Sequence, residues 1–299
     1  MVKSHYLQFF IRWLEFRILK HTRPLLASFK ITHRCNLQCR TCPFWRNPLP
    51  DISYENAIAV MHKLHRDGIR LLIFEGGEPM IWKDGDYRLT DLVIYARKKF
   101  LRVGITTNGM LPPDVPADMI WVSLDGWGDV HDQNRGKSFG RVMTNIQNSQ
   151  HPHMYVNLTI NRLNVDHIAE FIRNIGTTIR GITIQFYYPF PGSDDLSLSS
   201  DQRVAVLEQL IELKRGGAPL LNSFSTLSDL KANTWRCHPW LIASAEPDGK
   251  ISKGCYLKNR AAISCHDCGF AAHTEISKAF DLNIGAILAG HRIFQFRIL

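Results

Sequence analysis

The sequence predicts an α/β fold: a parallel barrel or open sheet of six strand–helix units, followed by a small cysteine-rich C-terminal region. Two observations carry this. Apolar strand runs alternate with helical patterns of period 3.6 from about residue 25 to residue 215. The seven cysteines divide into an early group, Cys35, Cys39 and Cys42, and a late group, Cys237, Cys255, Cys265 and Cys268. An odd number cannot pair completely among itself, and such a split suggests two metal centres in a reducing compartment.

The elements run as follows. Residues 1–23 form a predicted helix, apolar from Tyr6 to Leu19 apart from a narrow polar strip of Gln8, Arg12 and Glu15. Lys3, Arg17, Lys20 and Arg23 add positive charge. Two readings stand: a helix packed on the domain, or a basic interfacial helix on an anionic membrane or beside an apolar substrate. Ala27–Thr32 reads as the first strand and ends at the cysteines. Ser53 is placed to cap a helix with Ala57, Val60, Met61 and Leu64 on one face, and Gly68 to stop it. The continuous run Leu71-Leu72-Ile73-Phe74 is that of a buried parallel strand. Leu89, Leu92, Val93 and Ala96 mark the next helix, and Val103–Thr107 the third strand. Pro112, Pro113 and Pro116 replace a helix before the fourth strand, Ile120–Leu124. Met154–Ile160 and Ile182–Phe186 complete the set, each followed by a helical pattern. Near the C-terminus, Phe280, Ile284, Ile287, Leu288, Phe294, Phe296 and Leu299 form a second apolar surface, which either docks on the barrel or meets a partner.

Composition excludes several classes. With 45% hydrophobic and 21% charged residues in 299, the chain can bury a full core, which argues against disorder. No segment approaches the roughly 20 apolar residues of a membrane span, and no secretory cleavage pattern appears. The net charge of +9 is spread along the chain without a recognised RNA-binding module, so no nucleic acid partner is expected.

The segment Cys35-Asn36-Leu37-Gln38-Cys39-Arg40-Thr41-Cys42 has C-x3-C-x2-C spacing. Three thiolates on a short loop can hold three corners of an iron–sulfur cube and leave one iron open to a small molecule. A zinc loop borrowing His33 is the alternative. Arg34 and Arg40 are placed to offset cluster charge. Gly76-Gly77-Glu78-Pro79 closes the second strand, Thr107-Asn108-Gly109 the third, and Ser123-Leu124-Asp125-Gly126 the fourth, with Arg135 soon after.

In this order the motifs resemble the radical S-adenosylmethionine (SAM) superfamily. The resemblance implies a partial (β/α)6 TIM-like barrel over residues 24–217. It implies an enzyme in which a 4Fe-4S cluster on Cys35, Cys39 and Cys42 reductively cleaves SAM, and the resulting 5′-deoxyadenosyl radical takes hydrogen from a substrate. Gly76 and Gly77 suit the methionine amino group, Glu78 orients that site, and Pro79 fixes the exit. Asn108, Ser123 and Asp125 lie at strand ends that reach the cofactor, and Arg135 would pair with the methionine carboxylate. Asn157, Thr159 and Gln185 are either further contacts or ordinary barrel polarity. Tyr187, Tyr188 and Phe190 sit where substrate would enter.

Residues 218–299 resemble the SPASM and twitch auxiliary domains, with Pro247-Asp248-Gly249 between Cys237 and Cys255 and a C-x2-C pair at Cys265 and Cys268. The spacing from Gly249 to Cys255 is one residue longer than is usual there, and the full seven-cysteine set of that domain is absent. One second 4Fe-4S cluster on Cys237, Cys255, Cys265 and Cys268 is therefore expected, with zinc as the alternative. The implied substrate is a peptide or protein; a membrane lipid or isoprenoid is the alternative, and a non-catalytic metal-binding adaptor the third reading. A low-potential donor such as ferredoxin or flavodoxin is implied. The expected location is cytoplasmic, with peripheral contact at the inner membrane face through residues 1–23 as an option.

Overall fold

Six strands form where the apolar runs place them: β1 (Leu26–Lys30), β2 (Leu71–Glu75), β3 (Arg102–Thr107), β4 (Met119–Ser123), β5 (Met154–Ile160) and β6 (Ile182–Phe186). Neighbours pair in parallel in chain order. Parallel pairing needs a crossover after each strand, and the helices supply it. The computed structural model describes residues 5–46, 49–191, 195–258, 260 and 264–296. Its helices are α1 (His5–Leu19), α2 (Tyr54–Asp67), α3 (Leu89–Arg97), α4 (Asp129–Arg135), α5 (Phe139–Asn148), α6 (Ile168–Ile175), α7 (Ser200–Arg215), α8 (Phe224–Asp229), α9 (Ala271–Phe280) and α10 (Ile284–Phe294).

Local chemistry explains the boundaries. Ser53 accepts a hydrogen bond from the Asn56 amide at the start of α2, and Gly68 ends it at φ +114°. Ala57, Val60, Met61 and Leu64 are buried against the sheet. The proline-rich connection from β3 to β4 contains no helix. The architecture is thus the partial (β/α)6 TIM-like barrel.

The chain after residue 217 does not stand apart from this sheet. Strand β7 (Ile242–Ala245) pairs in parallel with the free side of β1, and β8 (Ile251–Lys253) returns antiparallel to it. The turn between them is the predicted Pro-Asp-Gly turn, with Gly249 at φ +80°. The segment Ile-Ala-Ser-Ala is too short and small to register as a strand by pattern; pairing with an open parallel edge makes it one. The sheet stays open between β6 and β8, and α9 packs beside β6.

Helix α1 packs on the domain through a mixed side of aromatic and polar residues, and leaves other apolar residues exposed. Phe16 packs inward, stacked on Trp240 at 4.9 Å and edge-on to Phe280 at 5.2 Å. The predicted polar strip, Gln8, Arg12 and Glu15, is half-buried, and Arg12 pairs with Glu15 at 2.7 Å. Leu7, Phe10, Ile11, Ile18 and Leu19 are exposed. Residues 1–4, Lys3 among them, and Leu299 lie outside the described residues. Within the C-terminal apolar group, Phe294 and Phe296 stack on each other and reach Trp121 and Phe9, whereas Ile284 and Leu288 are exposed.

Phe16→Ala is expected to cost about 2 kcal/mol, roughly half the value for a fully buried phenylalanine. Limited proteolysis should then cut faster around Lys20 and Arg23, with the barrel fragment intact.

Candidate functional site

The carboxyl ends of the strands converge on the first cysteine group because the sheet register aligns them: Lys30 faces Glu75, and Ser123 faces Asn157. Gly76 and Gly77 bring the end of β2 against the loop that follows β1. The Gly77 amide donates to the Thr32 carbonyl at 2.8 Å, and the Glu78 amide to the Arg34 carbonyl at 2.8 Å. A Cβ on Gly77 would lie 2.1 Å from the Arg34 carbonyl oxygen, and one on Gly76 would lie 2.2 Å from that of Thr32. Only glycine fits at these two positions, so the cysteine loop is clamped by backbone alone.

Behind the clamp, Glu78 is fully buried and ties the turn after β2 to the end of β3. Its carboxylate accepts from the Met80 amide (3.0 Å), the Thr107 hydroxyl (2.8 Å) and the Asn108 amide (2.6 Å). Burial pushes this carboxyl up to about 7 despite those bonds. Pro79 opens the short 3-10 turn that Glu78 caps. Asn108, thus positioned, places Nδ2 at 3.7 Å from the Cys35 sulfur and 2.7 Å from Asn36 Oδ1.

A second buried cluster approaches from β4. Asp125 accepts from Arg135 Nε and from Asn134 Nδ2, both at 2.6 Å. Burial would raise the Asp125 carboxyl, but Arg135 holds it below the usual range. Arg135 Nη1 lies 3.9 Å from the Cys39 sulfur. The Cys39 thiol is pushed up to about 12, by burial first, with Arg135 opposing. Thiols held this high ionise when a metal arrives to take them, and the donors aimed at sulfur by Asn108, Arg135 and the Leu37 amide (3.4 Å) suit cluster-bound thiolates. The residues present therefore fit an iron–sulfur cluster.

These groups share one cavity of about 800 Å³. Cys35, Cys39, Cys42, Gly76, Gly77, Asn108, Ser123 and Arg135 line it, as do Asn157, Thr159, Gln185, Tyr187 and Tyr188. Glu78, Pro79 and Asp125 stand behind its wall. Two sequence assignments shift. Arg34 turns away from the cysteines to pair with Asp51 at 2.5 Å, and His33 Nε2 lies 3.1 Å from Glu246 rather than beside a thiol.

The late cysteines lie within electrostatic reach of one another: the Cys237 thiol is pushed up by partial desolvation first and then by Cys255, Cys268 and Cys265, although Cys237 and Cys265 are exposed. By donor type these thiols suit either a second cluster or zinc. Among the described residues no three His, Cys, Asp or Glu side chains close around a point suited to a single ion.

Between the two groups lies a network that the sequence reading missed. Lys30, 1% exposed, pairs with Glu75 at 2.8 Å and Glu246 at 3.6 Å. Its ammonium sits 5.0 Å from the centre of the Phe44 ring and 4.6 Å from that of Tyr256. Arg260 also contacts Glu246 and the Tyr256 ring. Phe44 lies two residues after Cys42 and Tyr256 directly after Cys255, so both cysteine loops rest on one buried cation. A lysine ending an apolar strand was the available signal.

A half-open parallel barrel with three thiols on the loop after its first strand defines a cluster-binding class of α/β proteins. The chain belongs to the radical SAM superfamily, whose family model, described as "Radical SAM superfamily", matches residues 29–175. Among curated relatives, Fe-coproporphyrin III synthase of Methanosarcina barkeri (strain Fusaro / DSM 804) is 31% identical over 243 residues, 72% of this chain and 56% of that protein. Sporulation killing factor maturation protein SkfB of Bacillus subtilis (strain 168) is 27% identical over 218 residues, 67% of this chain and 52% of that protein. The chain thus spans about half the length of these relatives. Streptococcus suis SuiB bound to S-adenosylmethionine matches with TM-score 0.65 at 15% identity, over 85% of this chain and 66% of that one. SuiB bound to the precursor peptide SuiA matches with TM-score 0.63 at 14% identity, over 84% and 65%. The late cysteine-rich region fits the SPASM/twitch-type members.

Two outcomes test this geometry. Gly77→Ala should destabilise the apo-protein by about 1–3 kcal/mol through forced overlap and lower its iron content after reconstitution; thermal unfolding and iron counting read the two. Glu246 should govern acid stability. Burial would raise its carboxyl, but His33, Lys30 and Arg260 bring it down to about 2. A depressed folded-state value gives stability that is present above the ordinary value near 4.5 and lost as pH falls towards 2. Glu246→Gln should therefore flatten the stability curve in that acid window.

Proposed function

We propose that this chain is an enzyme that reductively cleaves S-adenosylmethionine and directs the resulting radical at a hydrogen on a substrate held in the barrel cavity. The observation that carries this is the meeting of Cys35, Cys39 and Cys42 with Gly76, Gly77, Asn108, Ser123 and Arg135 on one wall. When bound, a 4Fe-4S cluster with an open iron supplies the electron that breaks the C5′–S bond, giving methionine and the 5′-deoxyadenosyl radical. The three thiols would hold that cluster. Asn108 and Arg135 would orient and screen two of them. Gly76 and Gly77 would present backbone to the amino group of a small amino acid, Ser123 would meet ribose or carboxylate from the cavity wall, and Asp125, behind that wall, would act by holding Arg135. Arg135 is the group assigned to the methionine carboxylate; in doing so it would share its charge with Asp125. Glu78 and Pro79 support the clamp from behind. The barrel walls keep water from a radical.

We assign Cys237, Cys255, Cys265 and Cys268 to a second 4Fe-4S cluster, with zinc as the alternative, in an auxiliary unit spanning residues 218–299 beside the barrel unit of 24–217. A low-potential ferredoxin or flavodoxin would reduce the centres, and the proposed location is the cytoplasm, with peripheral contact at the inner membrane face through residues 1–23. A peptide or protein substrate is supported by the likeness to SuiB, solved with a precursor peptide. A second reading, an apolar lipid or isoprenoid, is favoured by the cavity walls, which are mostly aromatic and aliphatic away from the cysteines, with Arg12, Glu15, Ser28, Asn222 and Glu275 among them.

Anaerobic reconstitution followed by dithionite and SAM should give 5′-deoxyadenosine and about eight irons per chain, on the basis of two cubes. Replacing Cys35, Cys39 and Cys42 by alanine should abolish cleavage and leave about half of that iron. Cleavage surviving this variant would overturn the site assignment.

A further inference from the structure

The cavity does not end beneath the cysteines. Its lining runs along the whole bore, from Thr107 and Ser123 at the carboxyl ends of β3 and β4 to Leu26 and Leu71 at the opposite ends of β1 and β2. That lower end is closed by α1, α9 and α10, through Phe9, Trp13, Phe280 and Phe294. Most of its lining is apolar, with Arg12, Glu15, Ser28, Asn222 and Glu275 as polar groups away from the thiols. A peptide laid along the lower bore would find few partners for its backbone amides, at a cost for each one left unpaired. A hydrocarbon chain has no such requirement, and about 800 Å³ falls within the range of ligand cavities.

The lid of this bore is α1, which turns both aromatic and charged residues towards the cavity and leaves other apolar residues outside. Arg12 and Glu15 line the cavity, paired with each other, while Leu7, Ile11 and Ile18 are 49%, 46% and 69% exposed. Such a face is costly in water unless something covers it. Exposed Arg17, Lys20 and Arg23 follow that face in the chain. Leu282 also lines the bore and is itself exposed, two residues after Phe280, which packs on Phe16 of α1. Apolar side chains beside a cluster of cations match an anionic bilayer, with side chains entering the acyl region and cations meeting phosphates.

We propose that α1 docks on an anionic membrane surface and that the bore beneath it takes a single hydrocarbon chain of a membrane lipid. This rests on the lipid reading of the substrate given above. Lipid would enter past α1 and present a carbon of its chain to the thiol end of the cavity.

The test uses the full chain with its clusters reconstituted. Co-sedimentation with phosphatidylcholine vesicles, with and without phosphatidylglycerol, reads docking. Binding should require phosphatidylglycerol, and Ile11→Ser combined with Ile18→Ser should weaken it at least tenfold without changing the unfolding temperature. The fluorescence of cis-parinaric acid, a single-chain probe, reads the bore. Ala279→Phe and, separately, Ile73→Phe should each weaken probe binding at least tenfold; two fillings guard against one that misfolds. No sedimentation on anionic vesicles, or equal sedimentation of the serine variant, overturns docking. A dimer in vesicle-free buffer that the serine variant dissolves also overturns it, in favour of a second copy on that face. Probe binding that is absent, or indifferent to both fillings, overturns the hydrocarbon site. Both readouts are independent of SAM cleavage, so their failure leaves the 5′-deoxyadenosine assay intact as the test of the radical chemistry.

Discussion

Everything at the thiol end of the barrel depends on the contact between the Gly76–Gly77 backbone and the loop from Thr32 to Arg34. Two carbonyl oxygens occupy the space where two Cβ atoms would stand. That contact fixes the cysteine loop to the end of β2 without using a side chain. It also brings Glu78 into the core, where one carboxylate holds the ends of β2 and β3 together through two hydrogen bonds and caps its own turn through a third. Asn108 reaches Cys35 because Glu78 holds its backbone. The clamp thus converts sheet register into the placement of sulfur.

The remaining walls use charge where the clamp uses shape. Asp125 and Arg135 form a buried pair whose guanidinium also touches Cys39. Each would be costly alone; together, with Asn134 adding a hydrogen bond, they hold α4 against the strand ends. Lys30 does the same on the other side, bridging Glu75 and Glu246 under two aromatic rings. Phe44 and Tyr256 flank opposite cysteine groups, so one cation packs against residues next to both. The same network explains why β7 belongs to the sheet: Glu246 directly follows it and is held by three cationic or imidazole partners from the barrel and the tail.

The lower end of the barrel follows a different constraint. Its interior is mostly apolar and continuous with the space under α1, and the helices that close it meet through aromatic rings, while Arg102 and Tyr155 donate hydrogen bonds to carbonyls of α10. Aromatic contacts of this kind are broad and weakly directional compared with the polar contacts above. One cavity therefore joins a rigid polar end and an adaptable apolar end.

The sequence alone determined the order of six strands, the two cysteine groups and the residues at the strand ends, because periodicity, glycine pairs and cysteine spacing are local signals. It identified Cys35, Cys39, Cys42, Gly76, Gly77, Asn108 and Arg135 as companions before any coordinates placed them on one wall. The tertiary structure alone decided the pairing of β7 with β1, the Lys30 network and the orientation of α1. His33 and Glu246 are 213 positions apart, and no local pattern couples them. The helical pattern of α1 is apolar around most of its circumference and leaves open which side turns inward. Phe16 meeting Trp240 and Phe280, more than 200 residues away, fixes the side that sets Phe9, Trp13 and the Arg12–Glu15 pair against the bore and leaves Leu7, Ile11 and Ile18 outside.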